Sequence, residues 1–234
     1  MACNRDERHD RPVARPPVEV TIGTRRVVMP IDPEGGGTWI AATEAGLAFT
    51  LLNGDTRLPP CLGGEPDRLR RGCGGPPKLR AKAEGSCHIS RGLVIPSLAH
   101  CSTPDAAIAE IRTREWSAFA PFRLLVVSRT RRGEARWDGR RLTTRRGPLL
   151  ATLMRTSSSL ADARAQLARR RLFRRIVLNR ARRRQAQDRF HAHVWPSRPE
   201  VSVSMSRADA RTVSRTVVEL RADGVAMRYE PRPR

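Results

Sequence analysis

Short apolar runs bounded by glycine or proline turns recur along this chain, and they restrict the fold more than any other feature. Two β-hairpins are predicted near the N-terminus, at 18–29 around Gly23 and at 39–52 around Gly46. The continuous apolar run 122–127 is typical of a strand buried on both faces. Further strands are predicted at 134–137, 140–143, 149–154, 201–205, 212–220 and 225–229.

Helical patterns interrupt the strands in two places. Thr103-Pro104-Asp105 combines an N-cap residue, proline at the first helical position and an early acid, which predicts a helix start. A helix is also predicted at 91–100, and Ser159 can cap a long one from 160 to about 189. The element order is then strands, two helices, strands, one helix and strands. Two antiparallel sheets stacked between helices, an α+β sandwich, would cover every amphipathic face.

Length and composition set the class of protein. At 234 residues we expect a single domain spanning 1–234. No run approaches 18 apolar residues, so no membrane span is expected, and the polar start from Asn4 onward predicts no signal peptide. Five cysteines, an odd number, then fit free thiols in the cytoplasm. The last four cysteines form no C-x-x-C pair, so no metal site is predicted.

The formal charge of +22 would attract nucleic acid or an anionic membrane. Only Lys78 and Lys82 are lysines among the 45 basic residues, and phosphate neutralisation alone would not exclude lysine. A coding bias towards arginine explains that skew more simply. With one Tyr and five Phe, stacking platforms for single strands are also scarce, so nucleic acid is not the favoured partner. Nine arginines between 169 and 184 leave polyanion binding as the lesser alternative to an ordinary solvated helix face.

The segment 54–86 is rich in glycine and proline and has no apolar period. We predict a long mobile loop there, which in a compact domain is either a lid over a site or an insertion.

A dense polar run stands at the very start of the chain. Ionised side chains at this density are rarely buried without partners, so the run needs either solvent or a polar pocket. The run is accompanied by an Asp-Arg-Pro motif, a glycine turn and a strand ending in Asn. In order they are Asn4-Arg5-Asp6-Glu7, Asp10-Arg11-Pro12, Gly35-Gly36-Gly37-Thr38-Trp39 and Asn53.

Together these motifs resemble the NRDE family, the bacterial relatives of transport and Golgi organisation protein 2. Supporting matches follow along the chain to about residue 230. They are Ser90-Arg91-Gly92, Ser157-Ser158-Ser159-Leu160, Phe190-His191 and Thr212-Val213-Ser214-Arg215-Thr216. The resemblance implies the αββα sandwich of N-terminal-nucleophile hydrolases, which agrees with the layered fold predicted from the element order.

Such hydrolases use the first residue of the mature chain as nucleophile and its own α-amine as base. By resemblance, Asp6 would hold the amine, Arg5 would orient the substrate and Asn53 would bind the oxyanion. The same resemblance implies a ligand pocket. Its expected lining is Asn4, Arg5, Asp6, Glu7 and Asn53, with Arg91 as a further anion contact or, alternatively, an ordinary surface arginine.

The nucleophile itself is missing from the expected place. In the family a Cys follows the initiator Met, and a strand separates it from the Asn-Arg-Asp-Glu run, whereas here Cys3 directly precedes Asn4. As written, we expect no hydrolytic competence. A start codon further upstream, encoding about 15 more residues including the usual 5–6 of a strand, would restore a Cys-dependent amidohydrolase.

Eukaryotic relatives are implicated in moving haem and in lipid or acyl-coenzyme A homeostasis. The resemblance therefore implies a protein that binds a small anionic or amphipathic ligand, with haem or an acyl conjugate as the expected cargo. His191-x-His193 could alternatively ligate a metal or haem, although two histidines alone are a weak pattern. The oligomeric state is not predicted.

Overall fold

A computed structural model describes residues 1–54, 89–157, 163–178 and 183–232, with Ala163 and Arg183 described by their backbone alone. Apart from Gly54, the loop predicted at 54–86 lies outside the described residues.

Seven strands form one antiparallel sheet in which each strand pairs with the next along the chain. The hairpins predicted around Gly23 and Gly46 are confirmed, and both glycines adopt positive φ, of 62° and 73°. The strands are β2 (Arg15–Ile22), β3 (Arg25–Ile31), β4 (Ile40–Thr43), β5 (Leu47–Asn53), β6 (Phe122–Val127), β7 (Arg131–Trp137) and β8 (Leu142–Pro148).

Three further strands form a smaller antiparallel sheet from the two ends of the chain. They are β1 (Ala2–Arg8), β9 (Ala210–Leu220) and β10 (Val225–Pro231), with β9 in the middle. The polar run Asn4–Glu7 is therefore part of a strand rather than a solvated tail. The pairing of β1 with β9 shifts by one residue between Arg5 and Asp6.

The helices lie outside the sheets. They are α1 (Val94–Leu98), which follows a 3₁₀ turn at Arg91–Leu93, α2 (Pro104–Arg112), α3 (Ala163–Phe173), a π-helical turn at Arg174–Leu178, and α4 (Arg183–Ala192). The predicted start of α2 is confirmed, because the Thr103 hydroxyl accepts a hydrogen bond of 3.0 Å from the Ala106 N–H.

Three apolar clusters separate the layers. One lies between α1, α2 and the seven-stranded sheet, a second lies between the two sheets, and a third lies under α3 and α4. Successive side chains of one strand enter different clusters, because they point to opposite faces of the sheet: Phe49 belongs to the first cluster and its neighbour Ala48 to the second. Because α4 packs on β1, the order is helix, sheet, sheet, helix. The predicted αββα sandwich is confirmed.

Two predicted strands are wrong. Residues 149–154 are irregular, and in 201–205 the last residue of a 3₁₀ turn, Pro199–Val201, is followed by bends at 202–204. Leu149 nevertheless packs against the cluster between the sheets and Val203 is buried under the helices. Leu150, in contrast, is 86% exposed, so a short apolar run by itself indicates neither burial of every residue nor pairing in a sheet.

The helix predicted from 160 to about 189 corresponds to α3, the π-helical turn and α4, while 158–162 and 179–182 lie outside the described residues. Its arginines do not all coat the surface. Arg169 is buried, and its guanidinium donates to the carbonyls of Val201 and Ser202 and to the Thr156 hydroxyl. Arg169 thus ties α3 to Thr156 and to the irregular segment 201–205.

Candidate functional site

Strand alternation divides the polar run on β1 between two faces. The Asn4 side chain contacts α4 and the segment after it, and Asp6 lies on the same side. Arg5 and Glu7 point the other way, towards the seven-stranded sheet and the turn that precedes β4. The four neighbours in sequence therefore do not line one pocket.

Arg5 is the most enclosed charged residue of the run, with 7% of its surface exposed. Its guanidinium donates to Glu7 Oε2 at 2.9 Å and lies 3.7 Å from Asp32 Oδ2. The guanidinium carbon also lies 4.4 Å from the centre of the Trp39 ring, within the range of a cation–π contact. Arg5 thus joins β1 to the glycine turn of the other sheet.

The turn at 32–37 is closed by its own backbone. The Asp32 N–H donates to the Gly37 carbonyl, and the Gly36 N–H donates to the Asp32 carbonyl, both at 2.8 Å. Gly36 has φ of 65°, which a residue with a side chain rarely adopts. Asp32 Oδ1 also accepts from the Glu34 N–H at 3.2 Å. The turn therefore holds the Asp32 carboxylate at a fixed position.

Arg11 completes the ionic cluster. Its guanidinium lies 2.7 Å from Asp32 Oδ2, 3.0 Å from Glu34 Oε2 and 3.7 Å from Glu7 Oε1. We define the ion-pair cluster as Arg5, Glu7, Arg11, Asp32 and Glu34. The roles of Arg11, Asp32 and Glu34 were not predicted from the sequence, although Arg11 belongs to one of the motifs that carried the resemblance.

An open groove of about 440 Å³ borders this cluster. Its lining combines charged and proline side chains: Arg8, Asp10, Arg11, Pro12, Pro33 and Glu34.

Arg91 approaches the cluster from the 3₁₀ turn before α1. Burial lowers the pKa of its guanidinium, while the charge of Glu7 raises that pKa and the charge of Arg11 lowers it. Arg91 Nη1 donates to the Pro121 carbonyl at 3.2 Å, and the same carbonyl accepts from the Gly54 N–H at 2.8 Å. Asn53 is exposed at the end of β5, next to Gly54. The end of β5 is therefore linked to Arg91.

The glycine turn packs directly on the segment that carries Arg91. The Thr38 N–H donates to the Gly92 carbonyl at 2.9 Å. A Cβ added at Gly37 would lie 2.3 Å from the Gly92 carbonyl carbon. Glycine at 37 is thus required by a close approach of two backbones.

We expect Gly37→Ala to lower the free energy of unfolding by about 2 kcal/mol, the middle of the range for overpacking, because two backbone segments must separate. Chemical denaturation measures this loss. Gly147→Ala is the matched control, since a Cβ there meets nothing within 4 Å. Equal effects of the two substitutions would contradict the close-approach explanation.

Asn4 links β1 to the end of α4. Its amide nitrogen donates to the carbonyls of His191 and Val203, both at 2.9 Å. Its Oδ1 is then the atom that faces His191 Nδ1 at 3.1 Å, so the neutral imidazole carries its proton on Nδ1. Burial and, to a smaller extent, the charge of Arg215 lower the pKa of His191 to about 4, against the opposing charge of Asp188.

The carboxylate of Asp6 lies on the same side of the sheet as Asn4, although the residue as a whole is exposed. The Thr212 hydroxyl donates to Asp6 Oδ1 at 2.5 Å. Burial raises the pKa of Asp6, while the Thr212 hydrogen bond and three arginines oppose that shift. Those arginines are Arg169, Arg207 and Arg232.

Cys3 lies in the apolar cluster between the sheets. Burial raises the pKa of its thiol to about 11. The thiolate, which is the nucleophilic form, is therefore scarce at neutral pH.

Within the described residues, no three His, Cys, Asp or Glu side chains are grouped so that they could hold a metal ion. No helix of the described chain is long and apolar enough to cross a membrane.

Comparison with known proteins shows which proteins the chain is similar to. Among solved structures, penicillin V acylase from Agrobacterium tumefaciens is similar at 15% identity with a TM-score of 0.49, over 94% of this chain and 75% of that one. No curated protein sequence matches. The family model described as Transport and Golgi organisation 2 matches residues 1–191. The resemblance to this family is thereby confirmed over residues 1–191, and the chain belongs to the Transport and Golgi organisation 2 family.

Proposed function

We propose that this protein binds a small anionic or amphipathic ligand in the groove beside the ion-pair cluster. The observation that carries the proposal is the position of Arg11, which reaches three carboxylates of the cluster and also lines the groove. A ligand carboxylate or phosphate could replace Glu34 as a partner of Arg11, because Glu34 is 41% exposed and can turn to solvent while Glu7 and Asp32 keep their contacts with Arg5.

The groove lining favours a ligand with two kinds of surface. Arg8 and Arg11, which pair with the lining acids Asp10 and Glu34, offer guanidinium groups to an anionic part. Pro12 and Pro33 offer apolar contact. Haem, with carboxylates on an apolar ring, and acyl conjugates both combine these features. They are also the cargo that family membership favours.

Amide hydrolysis is less well supported by the arrangement of the side chains. The Cys3 thiol lies between the sheets with a pKa of about 11. Asp6, which would hold the nucleophilic amine, lies on the opposite side of β1 from Arg5. The groups that a hydrolase would need around one carbonyl therefore face different layers, whereas a carrier needs only the groove.

Arg11→Gln is expected to weaken binding of haem or of an acyl-coenzyme A by about 1.5–3 kcal/mol, the range for a hydrogen bond to a charged group. Titration at physiological salt, followed by haem absorbance or by calorimetry, measures the change. Arg26→Gln is the matched control, because Arg26 also pairs with carboxylates, Glu44 and Glu19, but lies on β3 outside the groove.

Removing exposed arginines of the helical layer, as in Arg171→Gln with Arg174→Gln, should leave this binding unchanged. If that helix variant loses the ligand and Arg11→Gln retains it, the groove is not the site.

A further inference from the structure

Strands β6, β7 and β8 concentrate arginines on one face. Their other face packs on α2, with Phe122, Leu124, Val126, Ala135 and Trp137 in the large apolar cluster. Strand alternation and the pairing register bring the remaining residues to the opposite side. That side carries Arg123 from β6, Arg132, Glu134 and Arg136 from β7, and Arg145 from β8.

Two more arginines join this face from outside the sheet. Arg155 donates to both carboxylate oxygens of Glu134, through Nε at 2.9 Å and Nη2 at 2.6 Å. Arg170 of α3 is close enough to Arg123 to lower its pKa. We call the whole set the arginine face: Arg123, Arg132, Arg136, Arg145, Arg155 and Arg170.

The arginine face lacks matching negative charge within the three strands. Glu134 is the one acidic residue of β6, β7 and β8, and Arg155 already engages both of its oxygens. Arg123 lies 3.5 Å from Glu134 at its nearest point, and it is directly opposite Arg136 in the sheet. Like charges in directly opposite positions destabilise a sheet.

Partial burial increases the energetic cost of the repulsion between Arg123 and the neighbouring arginines. Arg123 is 27% exposed and Glu134 is 14% exposed, so solvent screens their surroundings only in part. Burial lowers the pKa of Arg123, Glu134 raises it, and Arg155, Arg136 and Arg170 lower it further. An anion that reaches these side chains would relieve the repulsion and would bind in return.

We propose that the arginine face binds the pyrophosphate group of a small phosphorylated molecule. A guanidinium group can donate two parallel hydrogen bonds to the oxygens of one phosphate. A compact ligand with several negative charges could therefore pair with several of these arginines, which have a single carboxylate among them within the three strands. The ligand is small rather than a nucleic acid strand, because the described part of this face offers no aromatic ring on which bases could stack. This site is separate from the groove beside the ion-pair cluster.

The test uses inorganic pyrophosphate as probe and calorimetry of the full chain at physiological salt. Wild type should bind pyrophosphate more tightly than monophosphate. The double variant Arg123→Gln with Arg136→Gln should lose about tenfold or more in affinity, the usual consequence of removing hydrogen bonds to a charged group. Arg171→Gln with Arg174→Gln removes the same net charge from the helical layer, where both arginines are exposed, and should change the affinity less than about twofold.

Thermal unfolding without pyrophosphate separates binding from a structural role. Because Arg123 and Arg136 repel each other, their double variant should unfold at the same temperature as wild type or higher. A lower unfolding temperature would show that the two arginines stabilise the fold, and would overturn the proposal. Equal losses of pyrophosphate affinity in both double variants, or tighter binding of a single-stranded oligonucleotide than of pyrophosphate, would overturn it as well.

Discussion

Arg5→Ala is expected to lower the free energy of unfolding by about 3 kcal/mol, towards the lower end of the range for breaking a buried ion pair. The substitution leaves Glu7 and Asp32, each 18% exposed, with Arg11 as their shared arginine within the cluster. It also removes the guanidinium that lies over Trp39. Urea unfolding at neutral pH measures the loss.

Two variants on the same strand serve as controls. Arg5→Lys keeps the charge but not the planar fork, so it should recover part of the stability. Arg8→Ala removes an arginine whose ion pair with Asp10 is mostly exposed, and it should cost less than about 1 kcal/mol. If Arg5→Ala is no more destabilising than Arg8→Ala, the ion-pair cluster does not hold the two sheets together.

His191 should make the fold less stable in mild acid. Its pKa is about 4 in the folded chain, against an ordinary value of 6.5. Below pH 6.5 His191 becomes protonated in the unfolded chain but stays neutral in the folded chain. The stability that depends on neutral His191 is therefore present above that pH and is lost as pH falls towards 4. The expected loss from this residue is about 2 kcal/mol between pH 7 and pH 5.

His191→Asn isolates the contribution, because the asparagine amide can still donate to Asn4 Oδ1 but does not titrate. Asp6 acts in the opposite direction, since its raised pKa makes folding more favourable as pH falls through the range above its ordinary value of 3.8. The contribution of Asp6 is the same in wild type and in His191→Asn, so it cancels when their pH profiles are compared. If the variant retains the whole loss between pH 7 and pH 5, the buried neutral histidine is not its cause.

The layered fold could be predicted because its determinants are local. The turns at Gly23 and Gly46, the Thr103 cap and the apolar strand Phe122–Val127 each carry their own pattern within a few residues. The irregular paths of 149–154 and 201–205 could not be predicted, because Leu149 and Val203 pack against apolar clusters although neither segment pairs in a sheet. The path of 201–205 is held by contacts that are distant in sequence, as in the hydrogen bonds from Arg169 to Val201 and Ser202.

The candidate site was less predictable, for two physical reasons. Treating Asn4–Glu7 as one polar cluster ignored strand alternation, which sends Asn4 and Asp6 to the helices and Arg5 and Glu7 to the glycine turn. The partners are also remote, since His191 meets Asn4 across 187 positions. Alternation was available from the sequence once the run was recognised as a strand, whereas the long-range partners required the structure.

Backbone hydrogen exchange with and without saturating haem, and then with an acyl-coenzyme A, tests ligand binding at the groove most directly. The account predicts slower exchange at residues 8–11 and 34–38, which carry the groove lining and the glycine turn, with α3 and α4 unchanged. Slower exchange confined to α3 and α4, or no change with either ligand, would contradict it.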